Sequence, residues 1–171
     1  HRPGGCDIGK RPIDIHIDGL LGLGFEVEEE ENRIRCKGEC KGGRITLSYP
    51  SVGATENIMM AALSGTGDTI IENCAAEPEI SDLQGFLRTS GFQVFGAGSD
   101  TIFVKGSGKR KTGPEEQMYF ILEDRIEAAT YMAAVVGTGG NAVFRNIRPE
   151  IMKEVIQCFE RMGAVARSCL L

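Results

Sequence analysis

The sequence predicts an α/β fold, in the α+β sense of helices and sheets built from repeated units, and two observations carry that prediction. One helical stretch recurs: Met60-Ala61-Ala62-Leu63-Ser64-Gly65-Thr66-Gly67 reappears as Met132-Ala133-Ala134-Val135-Val136-Gly137-Thr138-Gly139. The echo continues in register, with Thr69-Ile70-Ile71-Glu72-Asn73 answered by Ala142-Val143-Phe144-Arg145-Asn146, and Pro78-Glu79-Ile80 by Pro149-Glu150-Ile151. The second observation is a glycine that opens a short apolar segment three times, at Gly24-Phe25-Glu26-Val27, Gly91-Phe92-Gln93-Val94 and Gly163-Ala164-Val165. Self-similarity in a constant order marks a repeated supersecondary unit, here helix, strand, helix, hairpin.

The elements follow in chain order. Pro12 opens a first helix with Ile13, Ile17, Leu20 and Leu21 on one face, and residues 25–37 form a hairpin. Ser51 caps a helix that runs through Leu63 and is stopped by Gly65 and Gly67. Residues 69–73 are an apolar, β-branched run of strand length. Ile80, Leu83, Phe86 and Leu87 recur at helical spacing, with Gly91 as the left-handed residue after the helix. Residues 92–95 and 101–105 are strands joined by a glycine-rich loop. By the same reading, residues 142–146 are a strand and a further helix follows Ile151. The polar stretch 107–117 fits a boundary between units, and its cations fit a solvated loop. A chain that starts with His and both begins and ends inside a repeat is expected to be part of a longer polypeptide.

Composition excludes several classes. With 24 acidic against 19 basic residues and a net charge of −5, the chain lacks the basic surface that non-specific nucleic-acid binding needs. Its apolar runs are short and broken, and no charged start leads into an apolar signal core, so no membrane span and a cytoplasmic location are expected. The six cysteines are irregularly spaced, which favours reduced thiols over a disulfide framework. Cys36 and Cys40 are the only close pair, so neither a metal site nor a cofactor is expected. A Cys-His hydrolase needs His1 or His16 to reach Cys6, and His16 reads as a structural helix residue.

The most chemical segment is Arg2-Pro3-Gly4-Gly5-Cys6-Asp7-Ile8-Gly9-Lys10-Arg11-Pro12. Arg2, Lys10 and Arg11 favour the thiolate of Cys6, and Asp7 opposes them. The glycines give the loop freedom to close over a ligand. The same residues also read as a surface turn with an incidental cysteine.

This loop runs into Arg11-Pro12-Ile13-Asp14-Ile15-His16-Ile17 and is followed by Ser51-Val52-Gly53-Ala54-Thr55-Glu56-Asn57-Ile58-Met59-Met60. The combination resembles the UDP-N-acetylglucosamine enolpyruvyl transferase family. Ile71-Glu72-Asn73, Glu77-Pro78-Glu79-Ile80, Asp82-Leu83 and Asp124-Arg125-Ile126-Glu127 continue the resemblance in family order along essentially the whole chain. It implies an inverted α/β barrel, or prism, of repeated βαβαββ units with helices inside, in two lobes flanking an active site. Residues 1–121 would finish the first lobe, with a catalytic loop at 2–12, and residues 122–171 would begin the second, so that the fold is incomplete at both ends. The implied reaction moves the enolpyruvyl group of phosphoenolpyruvate to the 3′-hydroxyl of UDP-N-acetylglucosamine and releases phosphate, opening bacterial peptidoglycan precursor synthesis. The implied partners are these two substrates and the rest of the polypeptide.

Residue by residue, the resemblance makes Cys6 the general acid toward the enol carbon, able to form an adduct with phosphoenolpyruvate and to be alkylated by fosfomycin. It assigns Arg11, Pro12, Ile13, Asp14 and Ile15 to the UDP-sugar site. It assigns Tyr49, Pro50, Ser51, Val52 and Gly53 to a diphosphate-binding turn, with Tyr49 where some members carry lysine. Plainer readings stand beside these: Ser51 as a cap only, Asp14 as an acid favoured by the helix dipole, Glu77 and Glu79 as solvated, and Asp124-Arg125 as an interlobe ion pair or cap. Two rival functions remain. One is the related transferase acting on shikimate 3-phosphate, against which the Gly4-Gly5-Cys6 loop argues. The other is an inactive truncated lobe that keeps part of a nucleotide site.

Overall fold

Residues 13–30, 33–108 and 117–168 are described in the computed structural model, which divides the chain into two units, His1–Phe120 and Ile121–Leu171. In the first unit the order is α1 (Asp14–Gly22), β1 (Glu26–Glu30), β2 (Arg33–Lys37), β3 (Gly43–Thr46), α2 (Val52–Ala62), β4 (Thr69–Glu72), α3 (Pro78–Thr89), β5 (Val94–Phe95) and β6 (Thr101–Val104). The strands make a two-stranded sheet, β1-β2, and a mixed four-stranded sheet in the order β3-β4-β6-β5, with β3 parallel to β4 and the other neighbours antiparallel. Helix and sheet thus coexist as the sequence predicts, and the one complete copy of the repeat among the described residues reads β3, α2, β4, α3, β5, β6. Its opening strand, β3, has no residues that stand out in the sequence.

Burial explains the layout. Ile58, Met59 and Ala62 of α2 are fully buried in one cluster with Ile71, Ile102 and Val104 of the sheet and Ile80 of α3. Alternation puts Ile45, Ile71, Ile102, Val104 and Val94 on the core face. The opposite face carries the Arg44–Glu72 ion pair, with Thr46 Oγ1 donating to Glu72 at 2.8 Å. The β1-β2 hairpin instead sets opposite charges across its strands. Its register places Glu26 opposite Lys37, Glu28 opposite Arg35 and Glu30 opposite Arg33, and Lys37 pairs diagonally with Glu28 at 3.1 Å, an exposed contact that contributes about a few tenths of a kcal/mol.

The inward line of α1 differs from the expected one. Leu21 is 48% exposed, while Ile15 packs on the core and Gly19 and Leu23 are buried. The reason lies across the interface: a Cβ at Gly19 would stand 2.1 Å from Ile58 Cδ1. The helices approach where α1 has no side chain, so the buried line passes through Gly19 and its neighbours one turn either side. The apolar residues of α1 are not gathered on one side of the helix, so periodicity has little to choose from.

The repeat is visible in the backbone. Gly24, Gly91 and Gly163 all have left-handed φ, +96°, +86° and +96°. Each ends a helix with the same two hydrogen bonds: Gly24 to Leu21, Gly91 to Arg88 and Gly163 to Glu160, then Phe25 to Leu20, Phe92 to Leu87 and Ala164 to Phe159. This is the C-terminal cap that glycine permits without a Cβ penalty.

The second unit contains α4 (Arg125–Thr138), a 3₁₀ turn (Pro149–Met152) and α5 (Lys153–Arg161). Asp124 caps α4, its Oδ1 accepting from the N–H groups of Ile126 and Glu127 at 2.9 Å. Among the described residues of this unit only Met152 is fully buried. Residues 142–146, expected as a strand, form none. Their counterpart β4 is held between β3 and β6, whereas a lone extended segment has no ladder to join. Even so, Asn146 keeps the left-handed φ of Asn73, +56° against +55°. The division between units also falls later than the polar stretch 107–117, because Gln117 and Tyr119 bond back to α3. Cys158, placed in an apolar helical pattern by its neighbours, is exposed on α5.

At the far end of α2 three chain segments cross. A Cβ at Gly67 would lie 2.4 Å from the Lys41 carbonyl oxygen, and one at Gly106 2.4 Å from that of Gly67. Backbone cannot give way as a side-chain tip can. Gly67→Ala is expected to cost about 2–3 kcal/mol, while Gly137→Ala in the second copy, with nothing within 4 Å of its Cβ position, is expected to change stability little. Urea denaturation of both variants checks this, and equal midpoints would contradict the crossing.

Candidate functional site

The first turns of α1 and α2 lie side by side. On α1, His16 Nδ1 is 3.0 Å from Asn57 Nδ2 of α2, and its ring edge is 3.5 Å from where a Gly53 side chain would begin. Three residues further along α1, Gly19 meets Ile58. Contacts that advance together along both helices mean that the helices run the same way, with their N-termini at one end of the unit.

That end suits an anion. Ser51 is extended and caps α2, its Oγ accepting from Ala54 N–H at 3.4 Å and its carbonyl from Thr55 at 2.9 Å. The N–H groups of Val52 and Gly53 take no hydrogen bond among the described residues, and Gly53 is exposed. Unused N–H groups at a helix start carry partial positive charge and bind phosphate-like groups. Buried Thr55 ties this turn to the next element, donating to Ser51 O at 2.8 Å and accepting from Ala75 N–H at 3.1 Å. The loop into α3 is thereby held at the same end, where Glu77 stands at the helix start and Glu79 in the first turn.

The structure therefore brings together Ile13, Asp14 and Ile15 at the start of α1 with Ser51, Val52 and Gly53 at the start of α2. Asp14 is an exposed acid of the first turn. Tyr49 and Pro50 precede the cap, and the Tyr49 ring is 63% exposed. Cys6, Arg11 and Pro12 lie outside the described residues. His16 and Asn57 were not singled out as site residues; a lone helical histidine gives no sequence signal for which element it faces. Among the described residues no group of three or more His, Cys, Asp or Glu side chains is placed to hold a metal ion.

The second unit has its own cleft, about 210 Å³, lined by Glu123, Asp124, Glu127, Tyr131, Phe144 and Arg145. Two of its acids are already committed. Asp124 caps α4, and Glu123 pairs with Arg148 at 3.0 Å. Its own backbone N–H, first, and Arg148 lower the Glu123 carboxyl below the ordinary range.

Glu56, one turn into α2, is pushed above its ordinary value of 4.5, first by desolvation and then by the charge of Glu79. The folded chain thus holds this proton more tightly than the unfolded chain does. The group's contribution is fullest below 4.5 and is lost as pH rises through the raised value. Glu56→Gln is therefore expected to raise the urea midpoint above that of the parent at neutral pH and to match it near about pH 4. A parent chain that is the more stable of the two at neutral pH would refute this account of Glu56.

Comparison with known proteins bears on the same residues. The profile of a family described as EPSP synthase (3-phosphoshikimate 1-carboxyvinyltransferase) matches residues 2–168. The chain is 46% identical over 162 residues to a protein of Caldanaerobacter subterraneus subsp. tengcongensis named UDP-N-acetylglucosamine 1-carboxyvinyltransferase 2, covering 94% of this chain and 38% of that one. It is 44% identical over 167 residues to UDP-N-acetylglucosamine 1-carboxyvinyltransferase 1 of Carboxydothermus hydrogenoformans, with 97% and 39% covered. The chain thus spans a little over a third of the length of these curated relatives. A solved EPSP synthase from Acinetobacter baumannii superposes with a TM-score of 0.59 at 25% identity, over 94% of this chain and 36% of that one. A profile match that runs nearly end to end, on a fold shared with a solved enolpyruvyl transferase, means that this chain belongs to the EPSP synthase family.

Proposed function

We propose that the polypeptide carrying this chain transfers the enolpyruvyl group of phosphoenolpyruvate to the 3′-hydroxyl of UDP-N-acetylglucosamine, releasing phosphate, as the first committed step of peptidoglycan precursor synthesis. The observation that carries the reading is the start of α2 at exposed Gly53, beside the first turn of α1, with the N–H groups of Val52 and Gly53 taking no hydrogen bond among the described residues. Relatives 44% and 46% identical that are named for this acceptor support it over shikimate 3-phosphate. In this reading Ser51, Val52 and Gly53 hold the diphosphate through backbone N–H groups. Arg11, Pro12, Ile13, Asp14 and Ile15 line the UDP-sugar site, with Arg11 supplying a planar, bidentate charge. Tyr49 and Pro50 shape the approach to the turn.

The chemistry is an addition followed by an elimination. The 3′-hydroxyl gives up its proton to a general base as its oxygen bonds to C2 of phosphoenolpyruvate, and the electrons of the C2–C3 double bond take a proton from Cys6 at C3. Loss of a proton from C3 and of phosphate from C2 then restores the double bond. Residues 1–121 belong to the first lobe and 122–171 to the second. Both substrates are multiply charged and do not cross a bilayer unaided, so a cytoplasmic location in a bacterium is part of the same proposal. A second reading, a lobe that keeps part of the nucleotide site without turnover, is favoured for these 171 residues alone by their 38% span of a relative.

Assays of the full-length protein with both acceptors decide the substrate: phosphate release is expected with UDP-N-acetylglucosamine, and release with shikimate 3-phosphate alone would overturn the assignment. The 171-residue chain by itself is expected to show no turnover.

Fosfomycin labelling read by mass spectrometry tests Cys6. Among the described thiols Cys40 and Cys74 are buried, and desolvation pushes Cys74 up to about 11, leaving Cys36 and Cys158 as the exposed competitors. Label is expected on Cys6; label on Cys36 or Cys158 in its place would remove the loop from the mechanism. Cys6→Ser is expected to lose roughly a hundredfold or more in rate. Cys6→Asp, which still donates a proton but offers no thiolate, is expected to keep part of the activity and resist the drug.

A further inference from the structure

Gly85 stands in the interior of α3, where glycine is disfavoured, and its φ is not one that requires glycine. What it supplies is a notch. A Cβ at Gly85 would lie 2.6 Å from the phenol oxygen of Tyr119 and 3.5 Å from its ring carbon Cζ. Within the notch the phenol donates to the Asp82 carbonyl at 2.7 Å, with Asp82 Oδ1 at 3.0 Å. The Tyr119 and Phe86 rings meet edge to face, centroids 5.5 Å apart at 76°. One turn on, Gln117 Nε2 donates to Ser90 Oγ at 2.7 Å. Asp82, Phe86 and Ser90 recur every fourth residue and so share one face of α3.

We propose that Tyr119 is a latch that straps residues 117–120 onto α3 through the Gly85 notch, carrying the first unit past the polar stretch 109–116. The covalent joint to the second unit is then only residues 120–122. Beyond it Glu123 is tied to Arg148 and Asp124 caps α4. Phe120 and Ile121, 85% and 82% exposed, are not anchored by burial. The latch therefore sets the end of the first unit at Phe120, beyond the polar stretch, and not at Gly108.

Limited proteolysis of the full chain tests this without reference to activity. Tyr119→Phe and Gly85→Ala are each expected to speed chymotryptic cleavage at residues 118–120 by roughly tenfold. Denaturation midpoints add a test of sign. Alanine for a helix-interior glycine normally stabilises, but with the phenol in the notch it is expected to lower the midpoint, and the usual gain is expected to return in a Tyr119→Ala background. Should Gly85→Ala fail to fold, Tyr119→Phe alone reads the hydroxyl. An unchanged cleavage rate in Tyr119→Phe, or an equal stabilising effect of Gly85→Ala in both backgrounds, would overturn the latch.

Discussion

Helix α1 can lie against α2 because Gly19 offers no side chain where Ile58 needs room, a Cβ there falling 2.1 Å from Ile58 Cδ1. Interaxial distance follows the side chains at the contact, so this one missing side chain sets how close the helices come. The close approach turns His16 toward Gly53 and Asn57 and aligns both helix starts at one end. A bulkier residue at Gly19 would leave each helix able to form and would separate the two turns that make the site.

The second constraint is polar. α2 is buried along one face, yet the loops at its start must find partners for their N–H and carbonyl groups. Thr55 solves this locally, its one hydroxyl serving Ser51 O and Ala75 N–H together. Asn73, in left-handed conformation, donates from Nδ2 to Leu47 O at 2.7 Å and so ties the end of β4 to the chain leaving β3. Thr69 is the exception, its buried Oγ1 lacking a partner. That omission costs about 1–3 kcal/mol by the usual scale, which the surrounding ladder and core offset.

Charge at the site end is divided. The helix starts present partial positive charge through N–H groups, while Asp14, Glu56, Glu77 and Glu79 stand on the first turns or close behind them. Acids near a helix start are favourable for the helix, and they compete with any anion arriving there. In a chain with net charge −5, the proposed binding of a phosphate-bearing ligand rests on directed backbone donors, not on the field of the molecule as a whole. The raised carboxyl of Glu56 is the local record of that crowding.

Much of the local structure was legible in the residues themselves. Ser51 as a cap, the helix ends at Gly24, Gly91 and Gly163, the hairpin over 25–37 and the repeat that relates the two copies all follow from backbone preferences that act over four or five residues. The candidate turn at Ser51, Val52 and Gly53 was singled out mainly by the family resemblance, since local preference alone makes Ser51 a cap. Tertiary structure alone decided the rest. Which line of α1 faces inward depended on Ile58, a residue 39 positions from Gly19. Whether 142–146 becomes a strand depended on ladder partners that β4 has and its echo lacks. Where the first unit ends depended on a phenol reaching a carbonyl 37 residues earlier. A sequence states the propensity of each segment, but burial, pairing and closeness are properties of two segments at once, and only the folded chain brings the second one into contact.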